Sequence, residues 1–296
     1  MTGSEKAEPA IGVIGGSGLY EMEGIEDLDR VAVSTPFGDP SDRIVTGRIA
    51  GRRLCFLPRH GVGHKILPHE INHRANIWAL RSLGVRWLVS VTAVGSLREE
   101  MPPRDIVVPD QLIDRTGTGA KHTFFGNGIV AHVGFADPYC ADLREILIRA
   151  AEPLAPRLHK KGTYVCMNGP AFSTRAESHM HRMLGGDLIG MTNAPEARLA
   201  REAEISAAAL ALVTDYDCWL EEEEPVDVAT VVENLNANSA LAKQILRTMV
   251  PHVPERPASA SHRSLDNSIF TARTAWPEQT VKDLAPILER IESTAP

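Results

Sequence analysis

Val85-Arg86-Trp87-Leu88-Val89-Ser90-Val91-Thr92-Ala93-Val94 is apolar at nearly every position. Such a run, with no alternation of polar residues, is what a central strand covered on both faces requires. Just upstream, Asn72–Leu83 places Ala75, Ile77, Trp78, Leu80 and Leu83 at helical spacing, and Gly84 stands where a helix stops. Arg52–Leu57 reads as another strand, and Ile11–Ile14 as a buried one that runs into Gly15-Gly16-Ser17-Gly18. Downstream, strands are expected over Asp105–Ile113, Gly162–Met167, Leu188–Met191 and Ala207–Thr214. Helices are expected over Cys140–Ala151, Arg175–Leu184, Ala194–Glu204, Val226–Met249 and Glu278–Ile291. The alternation predicts an α/β protein with much parallel pairing: one domain over 10–296 behind a loose tail of residues 1–9.

Composition narrows the function. The 296 residues are 43% hydrophobic and 23% charged, enough for a core without staples. A net charge of −7 argues against a nucleic-acid binder that relies on bulk positive charge, so an anionic ligand must be held by a local cluster of donors. Cys55, Cys140, Cys166 and Cys218 form no C-x-x-C pair, which points to a reducing compartment. The first ten residues carry no apolar leader and no 18-residue apolar run follows, so the expectation is a cytoplasmic protein without a membrane partner.

Three strand ends offer anion donors. The glycine turn at 15–18 serves either a plain reversal or an inward-facing nest of N–H groups joined by the Ser17 hydroxyl. It lacks the G-x-G-x-x-G order of a dinucleotide site and the Gly-Lys-Ser/Thr of a P-loop. Arg59-His60-Gly61 follows a strand directly, either as a phosphate-binding pair or as a surface Arg beside a structural His. Thr92-Ala93 ends the central strand with a hydroxyl and a backbone N–H. Ligands of α/β sheets collect at such carboxyl ends, so the convergence points to an anion. His60, His64, His69 and His73 crowd together, but Pro68 interrupts any helix that would align them, and no H-E-x-x-H pattern accompanies them. No metal is expected.

The strand AAALALVT ends in Thr214-Asp215-Tyr216-Asp217-Cys218-Trp219. Two carboxylates at i and i+2 share a side of an extended chain, where they either cap a turn or accept from a purine's exocyclic amine and serve its ring nitrogen.

The strings GGSGLYE, PRHG, INHRANIWAL, VTAVGSLREEM, IDRT, GPAFSTRAES, MTNAPEARLAREA and TDYDCW occur in an order that resembles the 5′-methylthioadenosine phosphorylases, over about Ile11 to Val250. The resemblance implies the purine nucleoside phosphorylase fold: a mixed central sheet with a distorted barrel, surrounded by helices. It implies a homotrimer with a shared active site, inorganic phosphate as co-substrate and no cofactor. It assigns Ser17, Arg59, His60, Thr92, the Ala93 backbone and Thr192 to phosphate, Met191 to the ribose and Phe172 to the base, and Ser173 matches the methylthioadenosine-specific position among the substrate contacts. Asp215 and Asp217 become the adenine readers, with Asp215 the proton donor to N7. His132 of a neighbouring subunit, Val228 and Val231 would line the 5′ pocket. After Pro251 the pattern departs, and Arg273 stands near an expected apolar contact.

The implied reaction is phosphorolysis of 5′-methylthioadenosine to adenine and 5-methylthioribose 1-phosphate. Alternatives are a phosphorylase for 5′-halogenated 5′-deoxyadenosines, a 6-oxopurine nucleoside phosphorylase, and a purine-binding regulatory protein on the same fold.

Overall fold

A computed structural model describes residues 8–16, 19, 21–117, 122–220 and 228–293, with the backbone alone for 228–232, 235 and 236. Its organising element is β5 (Val85–Ser96), which has a parallel neighbour on each edge: β1 (Ala10–Gly15) and β11 (Ser206–Asp215). Trp87, Val89 and Val91 enter one apolar core and Val85 and Leu88 the other, which is why the run carries no polar alternation.

Beyond β1 lie β4 (Arg52–Pro58), parallel to it, then β3 (Ile44–Ile49) and β2 (Glu26–Val31), each antiparallel to its neighbour. Past the end of β1, β10 (Leu188–Gly190) pairs antiparallel with Gly95 and Ser96, and the sheet continues through β9 (Thr163–Cys166) to β7 (Gln111–Asp114). β11 carries β6 (Ile106–Val107) on its outer edge, followed by β8 (Leu158–His159). β6 and β7 are joined by Val108, Pro109 and Asp110 alone, yet they sit at opposite ends of the arc β6–β11–β5–β10–β9–β7. So short a link curls that half of the sheet toward closure, giving the distorted barrel beside an open wing.

Helices cover both faces. α2 (Ala141–Ala151) and α5 (Val228–Met249) pack Leu143, Leu147, Ile245 and Met249 into the core with Phe56, Val89 and Leu210. α1 (His73–Ser82), α4 (Asn193–Glu202) and α7 (Ala285–Ser293) supply Ile77, Leu80, Leu199 and Leu288 to the opposite core. Each such side chain contributes about 1.5–3 kcal/mol when fully buried. Asn72 caps α1 by accepting from Ala75 N, and Gly84 follows the helix with φ +90°. α3 (Arg175–Met183) opens on a Thr174–Glu177 capping box.

The structure corrects several expected elements. The strand over Asp105–Ile113 is two strands, because Pro109 has no N–H for a ladder. The last helix is likewise two, α6 (Glu278–Asp283) and α7, divided at Leu284. β2, β3 and β8 were not expected. β2, with sequence EDLDRV, is an exposed edge strand with no apolar face to betray it. The segment after Pro251 docks firmly: Trp78 Nε1 donates to Asp283 O at 2.8 Å, and Arg290 forks onto the buried Glu204.

Candidate active site

A cleft of about 560 Å³ opens where β1, β4, β5 and β11 end, with β10 meeting them from the far side. At one end it is lined by Gly16, Arg59, His60, Thr92, Ala93 and Thr192. Arg59 leaves β4 with its N–H bonded to Gly15 O at 2.9 Å, and only 3% of it is exposed. Its Nε and Nη2 fork onto Oε1 and Oε2 of Glu196, Nη2 reaches Ser90 Oγ at 2.9 Å, and Nη1 donates to Val91 O at 2.9 Å. One Nη1 N–H is left for a ligand. Burial opposes the charge on both partners, but their mutual attraction outweighs it, raising the Arg59 pKa and lowering that of Glu196.

His60 places Nδ1 2.8 Å from Ile66 O, so the neutral ring donates there and carries its acceptor on Nε2. Burial, with the Arg59 charge acting in the same sense against the Ile66 bond, lowers its pKa to about 4. His64 stacks on it, ring centroids 4.2 Å apart. Thr192 precedes the first turn of α4, whose N–H groups and dipole favour an anion. Tyr164 lies so close to Gly190 that its hydroxyl fills the space a Cβ there would need.

The other end is built on a bulge. The β5–β11 register shifts between Val213 and Asp215, turning the chain so that Asp215 and Asp217 both line the cleft. Asp215 Oδ1 accepts from Asp217 N at 2.8 Å and Oδ2 from Thr214 Oγ1 at 2.7 Å. Gly95 is required opposite: its Cβ would stand 2.9 Å from Asp215 Oδ1. Asn234 and Asn238 of α5 donate to Thr214 O and Val213 O, satisfying the bulged backbone.

Asp217 sits at φ +54°, where Asp is tolerated better than most residues. Burial pushes its carboxyl pKa up, against the approach of the Ser178 and Ser173 hydroxyls, and Oδ2 has no partner in hydrogen-bond geometry. Ser178 Oγ and His181 Nδ1, on the face of α3 behind it, are also buried and unpartnered. α3 is held there by Arg182, stacked 3.5 Å over the Trp219 ring.

Of the residues expected from the sequence, Arg59, His60, Thr92, Ala93, Thr192, Phe172, Ser173, Met191, Asp215 and Asp217 share this one cleft. His132 does not line it. Its ring stands edge-on to Phe270 at 5.2 Å, on a surface where Val130 and Phe270 are exposed. Ser17 and the side chains of Val228 and Val231 lie outside the described residues. Arg273 lies over Trp276, away from the cleft. Sequence reasoning missed Glu196 and Ser90. Ser90 sits within an apolar run, and Glu196 in the mixed stretch Asn193-Ala194-Pro195-Glu196-Ala197-Arg198, where it reads as an ordinary first-turn acidic residue of a helix.

The chain belongs to the phosphorylase superfamily, whose family profile matches residues 10–251. Within it, the S-methyl-5′-thioadenosine phosphorylase of Geobacter sulfurreducens is 52% identical over 281 residues, 95% of this chain and 98% of the relative. A methylthioadenosine phosphorylase from an antarctic soil metagenomic library superposes with a TM-score of 0.90 at 48% identity, covering 96% of this chain and all of the other. The methylthioadenosine phosphorylase of Schistosoma mansoni in complex with adenine gives 0.78 at 36%, over 95% and 98% of the two chains.

Proposed function

We propose that this chain catalyses phosphorolysis of 5′-methylthioadenosine, yielding adenine and 5-methylthio-α-D-ribose 1-phosphate, with inorganic phosphate as co-substrate and no cofactor. The observation that carries the proposal is the lining of one cleft by an anion-donor end and a two-carboxylate end. Phosphate sits against Arg59, Thr92, the Ala93 N–H and Thr192, with His60 and Ser17 completing the set. The ribose packs on Met191 and the base on Phe172, with Ser173 among the substrate contacts.

As the C1′–N9 bond breaks, the ribose becomes a cation and the purine takes up the electron pair. A proton delivered to N7 by Asp215 makes adenine a neutral leaving group, and a phosphate oxygen bonds to C1′ from the opposite face. Asp217, whose carboxyl burial favours as the neutral acid, is placed to share that proton. In their ionised forms both carboxylates accept, which suits a 6-amino group and not a 6-oxo group. A mismatched base leaves a buried group unpaired at about 1–3 kcal/mol. The donors at the phosphate end are already held by the fold and need little reorganisation during reaction.

The assembly we propose is a homotrimer, in which each 5′ pocket is lined by Val228 and Val231 of its own subunit and covered by His132 of a neighbouring one, beside the exposed Val130 and Phe270. The test is adenine release from 5′-methylthioadenosine, with and without phosphate, against adenosine, inosine and 5′-chloro-5′-deoxyadenosine. The proposal expects phosphate-dependent release that favours the methylthio substrate. Preference for inosine would overturn the base assignment, and release without phosphate would overturn the reaction.

A further inference from the structure

We propose that Glu196 is a positioning residue that acts through Arg59 to keep the anion end of the cleft formally neutral, so that bound phosphate retains its charge for the cation developing at C1′. The inference rests on Arg59 being a phosphate donor, as set out above.

Among the described residues that line the cleft, Arg59 is the only Arg or Lys. Its charge is already matched. Glu196, 2% exposed in the first turn of α4, takes both sides of the guanidinium fork, and Ser90 Oγ donates to its Oε2. Two of the rings nearby add no formal charge. His60 is neutral, and so is His73, whose Nδ1 lies 4.0 Å from Glu196 Oε1 and whose pKa burial lowers to about 4. Phosphate is therefore met by N–H and O–H dipoles and by the start of α4, not by a net positive charge.

That balance has a kinetic consequence. An uncompensated Arg59 would grip phosphate more tightly in the ground state, yet it would also repel the ribosyl cation forming next to that phosphate. Tighter binding of substrate than of transition state lowers kcat. The carboxylate reverses this trade while fixing the guanidinium to α4, so that the donors on β4 and α4 keep one geometry.

Glu196→Gln keeps an acceptor for Nε but removes the charge. The expected result is a split: the phosphate KM falls roughly tenfold and kcat falls roughly tenfold or more, as expected for one unit charge acting across the guanidinium from about 10 Å away at an effective dielectric constant near 20. The phosphate-induced rise in thermal midpoint should also be larger than in the parent protein. This second readout stands even where the variant folds only with phosphate present. Glu196→Asp keeps the charge, and the phosphate KM and kcat should each stay within about threefold.

A rise in phosphate KM for Glu196→Gln with kcat unchanged, or a tenfold rise for Glu196→Asp, overturns the inference, because either outcome assigns Glu196 to placement alone. Arg59→Lys separates the two readings. If the phosphate KM rises in Arg59→Lys but Glu196→Gln shows no split, only the role of Glu196 fails. If Arg59→Lys leaves phosphate saturation unchanged, the phosphate site itself is misassigned.

Discussion

The two ends of the cleft satisfy their polar groups in opposite ways. At the anion end the Arg59–Glu196–Ser90 network is closed within the fold apart from one Arg59 Nη1 N–H, and among the described residues the one unpartnered buried atom nearby, His73 Nδ1, lies behind it and outside the cleft lining. At the purine end Asp217 Oδ2, Ser178 Oγ and His181 Nδ1 are buried without partners. The first end has committed its hydrogen bonds to the protein and spends stability if they are broken. The second holds unmet capacity at Asp217, the one of these three that lines the cleft, which costs stability in the empty protein and is repaid when a base with a matching donor arrives. A residue at the anion end should therefore show up in unfolding experiments, and one at the purine end in kinetics.

Arg59→Met is the severest way to break the anion end, because it strands the buried Glu196 carboxylate. Guanidinium chloride unfolding should show a loss of about 3–5 kcal/mol, with phosphate saturation abolished in the same protein. An unchanged unfolding midpoint would falsify the picture of a structurally committed network.

Asp215→Asn tests the other end. Its kcat/KM for 5′-methylthioadenosine should fall roughly 10²–10³-fold while the phosphate KM stays within about threefold and the unfolding midpoint barely moves. Full activity in this variant would remove Asp215 from the acid role.

His73→Gln sharpens the contrast through pH. His73 titrates near 6.5 when unfolded and at about 4 when folded, a depressed value. Its contribution is therefore intact above pH 6.5 and is lost as pH falls toward 4, with a slope of at most about 1.4 kcal/mol per pH unit. Replacing it with Gln should flatten the stability profile in that window, as measured by unfolding at half-unit steps of pH.

The smallest effect belongs to Ser178→Ala. A buried hydroxyl without a partner costs its desolvation, so removing it should leave stability unchanged or raise it by about 1 kcal/mol. The nucleoside KM should rise a few-fold, because Ser178 helps shape the Asp217 carboxyl. A large loss of stability would mean that this end, too, is committed to the fold.

The chain by itself determined a good deal of this protein. VRWLVSVTAV named the central strand because a strand buried on both faces needs a run that is apolar at nearly every position. Arg59-His60 and Asp215-x-Asp217 were legible because each lies at a strand's end, where an α/β sheet presents ligands; Thr92-Ala93 was read the same way, although β5 runs on to Ser96. The tertiary structure alone decided what these residues are joined to. Glu196 is 137 positions from Arg59 and Ser90 is 106 from Glu196, so no local pattern could pair them. The bulge that aims Asp215, the bare Cα of Gly95 that admits it, and the α3 face behind Asp217 likewise depend on strand register and helix docking. Short-range periodicity records which face of an element is buried, but it carries no information about which distant side chain will be found there. That is why the donors and acceptors could be read from the sequence, while the charge balance that tunes them appeared only once the strands were brought together.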